Sequence, residues 1–158
     1  MVYVIYGVSG TGKTTIGKLL AEKLQIPFYD ADDYHPKENV EKMANGNPLN
    51  DDDRMPWLQT LAKKINDWSE NNGAVLACSA LKQLYRNILQ THQKVEWIFL
   101  EGDFKLIYNR INDRKNHYMG AEMLQSQFDA LEEPTTGIRV SIAPSPKEIV
   151  DIIISKIS

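Results

Sequence analysis

Three glycines in eight residues, Gly7-Val8-Ser9-Gly10-Thr11-Gly12-Lys13-Thr14, separate two very different segments. Before them, Val2 to Tyr6 is a short apolar run of β-branched and aromatic residues, which reads as a strand buried on both faces. After them, Ile16, Leu19, Leu20 and Leu24 recur at helical spacing, and Pro27 closes the segment. A buried strand turning through glycine directly into a helix constrains the fold more than any other feature, because it demands a covered sheet with helices returning over it. The glycines let successive backbone N–H groups turn inward with no Cβ in the way. The helix start adds its positive end at the same point.

The rest of the chain repeats that alternation. Phe28-Tyr29 is a very short strand, Ala74 to Cys78 a third, Val95 to Leu100 a fourth and Ile138 to Ile142 a fifth. Between them, the spacing predicts a small helix near Asn39 to Ala44 that Gly46 caps. It also predicts a long helix through Trp57, Leu61, Ile65 and Trp68 with Pro56 in its first turn. Further helices carry Leu81 to Leu89, Leu106 to Ile111, Met123 to Leu131 and Ile149 to Ile157. Strands alternating with helices imply an α/β fold with a parallel sheet of five strands and helices on both faces. A chain of 158 residues makes one domain of 1–158. Ligands in such sheets bind beyond the carboxyl ends of the strands.

Composition excludes several classes. Net charge is −3, so no general basic footprint argues for nucleic acid. No apolar run approaches a membrane span, and Met1-Val2-Tyr3 lacks the basic segment of a secretion signal. The single cysteine, Cys78, excludes an internal disulfide framework and reads as a small buried residue. A cytoplasmic protein is the expectation.

The glycine stretch fits G-x-x-x-x-G-K-[ST] in the required strand-to-helix setting. Lys13 can place a charge on the β and γ phosphates of a nucleotide, and the Thr14 hydroxyl can join the shell of Mg²⁺. Behind the second strand stands Asp30-Ala31-Asp32-Asp33-Tyr34-His35-Pro36. If the chain stays extended there, Asp30 and Asp32 face the same side, one to help hold Mg²⁺ and one to accept a hydroxyl proton; the same residues also suit an acidic helix cap. Asp51-Asp52-Asp53-Arg54 reads as helix-start carboxylates followed by a cation that needs an anionic partner. Lys82 and Arg86 lie four apart, on one face of the next helix, and Arg110 and Arg114 repeat that spacing. Solvated surface charge explains either pair equally well from spacing alone. No zinc spacing and no Ser-His-Asp order is present.

Taken together, GVSGTGKT, DADDYHP, NVEKMANGNPLNDDDRMPWL, CSALKQLYR, LEGDF, RINDRKNHY and LQSQFDALEEP resemble the gluconokinase family, small kinases related to shikimate and nucleoside monophosphate kinases. The resemblance implies a three-layer P-loop kinase fold with a small lid at about residues 112–122. It implies ATP-dependent phosphorylation of D-gluconate to 6-phosphogluconate with Mg²⁺, in a homodimer. By the same resemblance, Gly7, Val8, Ser9, Gly10, Thr11, Gly12, Lys13, Thr14 and Thr15 hold ATP, and Thr14 and Asp30 serve the metal. Asp32 lies near the hydroxyl to be phosphorylated; His35, Arg54, Lys82 and Arg86 surround the acceptor. Arg110 and Arg114 are the lid arginines that contact the nucleotide, and Ser145 lies beside the adenine. Two departures stand out: Ala31 where the family usually has Gly, which disfavours a positive φ, and Tyr118 in place of Phe. A kinase for another small hydroxy acid such as shikimate, and a nucleotide-binding regulator without turnover, are the alternative readings.

Overall fold

The computed structural model describes residues 1–90, 95–113 and 120–157. Its elements follow in chain order: β1 (Val2–Tyr6), α1 (Lys13–Leu24), β2 (Phe28–Asp30), α2 (Lys37–Ala44), α3 (Asp51–Glu70), β3 (Ala74–Cys78), α4 (Gln83–Leu89), β4 (Val95–Glu101), α5 (Phe104–Asn112), α6 (Ala121–Ala130), β5 (Ile138–Ser141) and α7 (Pro146–Ile157). The strands form one parallel sheet in the order β2-β3-β1-β4-β5. The chain leaves β1 towards β2 and later reaches β4 on the other side. The turn after β1 therefore lies at the switch point, where open α/β sheets bind their ligands.

Two buried clusters account for the three layers. Ile5, Val75, Ile98 and Leu100 pack with Ile16, Leu20, Ile107, Leu124 and Ile153 on the face covered by α1, α5, α6 and α7. Val4, Tyr6, Leu76 and Phe99 pack with Trp57, Leu58, Leu61, Tyr85 and Leu89 on the face covered by α3 and α4. The period-2 alternation along β1 and β4 sends successive side chains into opposite clusters. Among the described residues, no helix is long and apolar enough to cross a membrane.

Three local expectations are corrected. α3 starts at Asp51, so Pro56 is its sixth residue rather than part of its first turn. A capping box explains the earlier start: Asn50 Oδ1 accepts from the Asp53 amide at 2.7 Å, and Asp53 Oδ2 accepts from the Asn50 amide at 2.9 Å. The chain also does not stay extended beyond Asp30; residues 31–34 form a single 3₁₀ turn. Finally, α4 begins at Gln83, leaving Lys82 extended at its N-cap (φ −102°, ψ 145°), so Lys82 and Arg86 do not share a helix face.

Candidate active site

The carboxyl ends of β1, β2 and β3 are in register, with Tyr6 opposite Cys78 and Asp30 opposite Ala77. The three loops that follow them therefore meet. The loop after β1 carries φ of +82° at Gly10 and +91° at Gly12, a region favouring glycine. A Cβ on Gly10 would also lie 2.5 Å from Ile111 Cγ1. Gly12 is the N-cap of α1; no side chain caps that end and no acidic residue lies in its first turn. The first amides of α1 therefore suit an anion, and the exposed Thr14 and Thr15 stand beside them.

Lys13 Nζ donates to the carbonyls of Gly7 (2.8 Å) and Val8 (3.0 Å). Desolvation lowers its pKa to about 8, while the nearby Asp32 and Asp30 carboxylates pull the other way. Beneath it, burial pushes the Cys78 thiol up to about 12, so this sulfur is packing and not a nucleophile.

A cavity of about 350 Å³ opens beside the loop, lined by Gly10, Gly12, Thr15, Arg110 and Ser145 among others. Arg110 Nη1 donates to the Ile142 carbonyl at 2.8 Å, which holds it at the rim. The Ser145 hydroxyl is engaged in capping α7, donating to Glu148 Oε1 at 2.8 Å and accepting from the Glu148 amide at 3.3 Å. Ser145 thus shapes the cavity by its position. Arg114, Tyr118 and most of the expected lid lie outside the described residues.

On the opposite side, the Asp30–Asp32 pairing arises from the 3₁₀ turn rather than from strand alternation. Asp30 is its N-cap, and Asp30 Oδ1 accepts from the Asp32 amide at 2.9 Å. Ala31 has no positive φ, as its side chain requires, and its carbonyl accepts from Trp57 Nε1 at 2.7 Å. The Asp32 carboxyl is open to the cleft, yet crowding by the protein and the Asp30 charge push its pKa up, which suits a proton acceptor. His35 lies behind it, stacked on Trp57 at 4.3 Å, with Nε2 3.9 Å from Asp32 Oδ1. Burial lowers the His35 pKa. Asn39, only 5% exposed, donates through Nδ2 to the Asp53 carbonyl (2.8 Å) and faces His35 Nδ1 at 3.3 Å. A carbonyl partner fixes the Asn39 amide, so Nδ1 is the acceptor and neutral His35 carries its proton on Nε2, towards Asp32.

Arg54 and Lys82 meet around Tyr85. Arg54 Nη1 donates to the Tyr85 hydroxyl at 3.1 Å; that hydroxyl donates to Asp51 Oδ1, which also accepts from Lys82 Nζ at 3.1 Å. The Tyr85 and Lys82 hydrogen bonds hold the Asp51 carboxyl below the usual carboxylate range, and Asp51 raises Lys82. Arg86 is not part of this group. It is 4% exposed and donates to the carbonyls of Ala80 (2.7 Å) and Glu132 (2.6 Å) and to Gln83 Oε1. Ala80 has a φ of +41°, so Arg86 secures a strained turn in the loop that delivers Lys82.

Three residues escaped the sequence reading. Asp51 and Tyr85 read as ordinary helix-start and apolar-face residues by pattern; Asn39 carries no signal beyond its place in the small helix. Only Asp51 had a signal: a capping box of Asn50 and Asp53 leaves it without a capping task.

Residues 9–156 match the family model described as shikimate kinase. The thermoresistant gluconokinase of Escherichia coli is 44% identical, over 84% of this chain and 77% of its own. A gluconokinase of Arabidopsis thaliana is 38% identical, over 99% of this chain and 92% of its own. The crystal structure of a gluconokinase from Sinorhizobium meliloti superposes with a TM-score of 0.89 at 35% identity, covering 98% of this chain and 89% of that one. Matched over nearly its whole length in sequence and in fold, the chain belongs to the gluconokinase family of shikimate-kinase-like P-loop kinases.

Proposed function

We propose that the protein transfers the γ-phosphoryl group of ATP to the 6-hydroxyl of D-gluconate. The observation that carries this reading is the placement of Lys13, at an uncapped helix start, within the field of Asp30 and Asp32. The loop of residues 7–15, with the amides at the α1 start, binds the phosphates, with the nucleoside in the cavity between Arg110 and Ser145. Lys13 keeps its Val8 contact and turns another of its three N–H groups onto the phosphate oxygens, where the anion holds it charged. Asp32 accepts the proton as the acceptor oxygen attacks phosphorus; the new P–O bond forms as the bond to the β-phosphate oxygen breaks, releasing ADP.

The hard oxygens of Thr14 and Asp30 fit Mg²⁺, which takes few protein ligands and completes its shell with phosphate and water. When bound, the ion neutralises charge on the β and γ phosphates. Arg54 and Lys82 supply cations for the gluconate carboxylate, and Arg86 supports the Lys82 loop. His35 keeps Asp32 in place from behind. Arg110, joined by Arg114 from the lid, neutralises the nucleotide tail.

Measuring ADP release with gluconate, shikimate and nucleoside monophosphates tests the reading. Turnover with gluconate and magnesium is expected; turnover with only another acceptor, or ATP binding without any turnover, overturns it.

A further inference from the structure

Besides the Glu132 carbonyl that accepts from Arg86, the segment LQSQFDALEEP sends one residue to the phosphate loop. Gln127 lies on α6, 118 residues from Ser9 in sequence. Its Oε1 accepts from the Ser9 amide at 2.7 Å, and its Nε2 donates to Ser9 Oγ at 2.9 Å. One primary amide therefore grips both the backbone and the hydroxyl of a single loop residue, which fixes the orientation of that residue.

The peptide unit concerned is the one that carries Lys13. The Ser9 N–H and the Val8 C=O belong to the same planar group. The carbonyl accepts from Lys13 Nζ at 3.0 Å and from Thr11 Oγ1 at 3.1 Å, while the amide faces Gln127. Without Gln127, that peptide loses its outer anchor in a loop whose flanking glycines turn easily. Just beyond the same helix, Glu132 donates its amide to the Leu81 carbonyl (2.8 Å) and accepts from Arg86 through its own carbonyl. The segment from Gln127 to Glu132 thus ties the phosphate loop to the loop that presents Lys82.

We propose that Gln127 is a positioning residue for phosphoryl transfer: by holding the Val8–Ser9 peptide, it aims Lys13 at the terminal phosphate. This rests on the role assigned to Lys13 above.

The test compares steady-state rates of Gln127→Met in the wild-type and Lys13→Ala backgrounds, with melting temperatures. Methionine keeps length and shape but cannot accept the Ser9 N–H. In the wild-type background, kcat should fall about tenfold or more, with both KM values within about threefold and the melting temperature within about 5 °C. In the Lys13→Ala background, the same change should lower the residual rate less than about twofold, because the aimed group is gone. Equal losses in both backgrounds, or an unchanged kcat in the wild-type background, overturn the proposal. If Lys13→Ala itself retains full activity, the role of Lys13 fails instead. Gln127→Glu, which can still accept from both Ser9 donors, supplies the control for folding: it should restore the melting temperature of any Met variant that is unstable, and should keep a higher kcat than Met. A Glu variant no faster than a folded Met variant also overturns it.

Discussion

The two sides of the cleft are made of different material. On the nucleotide side, binding capacity resides in backbone: the uncapped start of α1, a loop bent at glycines, and one lysine resting on carbonyls. On the proposed acceptor side it resides in side chains from separate elements, with Asp51 and Arg54 on α3, Lys82 before α4, and Tyr85 within it. The nucleotide side offers groups that await a partner. On the acceptor side one carboxylate, Asp51, already engages Lys82 and the Tyr85 hydroxyl that Arg54 also bonds, so an incoming carboxylate must compete with Asp51 for Lys82. A backbone site can serve every enzyme that handles a triphosphate; a side-chain site can be reshaped one residue at a time, which is where selectivity for the acceptor belongs.

The largest effect expected across this boundary comes from Asp32→Asn. The amide keeps the shape but cannot take a proton, so kcat should drop by about 10²–10⁴-fold. ATP affinity, measured by calorimetry, should stay close to wild type. A parallel loss of ATP binding would place Asp32 on the nucleotide side and dissolve the division.

Tyr85→Phe sharpens the comparison at a smaller scale. The hydroxyl both donates to Asp51 and accepts from Arg54, so its loss leaves two charged groups one partner short. The KM for gluconate should rise about tenfold, in line with a hydrogen bond to charge, with the KM for ATP within about twofold. Equal changes in both constants would show that the Tyr85 group serves the nucleotide as well.

The same contrast explains what the sequence revealed. The glycine loop and β1 to β5 are legible because each depends on local order: a strand, a turn that needs glycine, a helix start. Asp30 and Asp32 stand together at the end of β2, through the capped 3₁₀ turn and not through an extended run. Arg86 was misread, because a spacing of four carries meaning only inside a helix, and α4 begins one residue too late for Lys82 to join it. Tyr85 and Gln127 were illegible for a different reason. Their partners stand 34 and 118 residues away, and no periodicity encodes a contact made only once the sheet and its helices are assembled.

The smallest expected effect lies beneath the acceptor side, at Asp53. Its carboxyl is held below the usual carboxylate range by the Lys42 hydrogen bond first and the Asn50 amide second. A carboxyl whose folded pKa is depressed binds fewer protons folded than unfolded. Its stabilising contribution is therefore complete above the unfolded value of about 3.9 and disappears as pH falls through the folded value. Asp53→Asn keeps an acceptor for the Asn50 amide and removes only the charge. Its melting temperature should lie slightly below wild type at pH 7, and the gap should close as the pH is lowered below about 4. Because Asp53 stands at the start of the helix that carries Asp51 and Arg54, the KM for gluconate should rise modestly at pH 7 while the KM for ATP stays fixed. A gap that persists unchanged into acid would mean that the neutral cap, and not the Lys42–Asp53 charge pair, secures this end of α3.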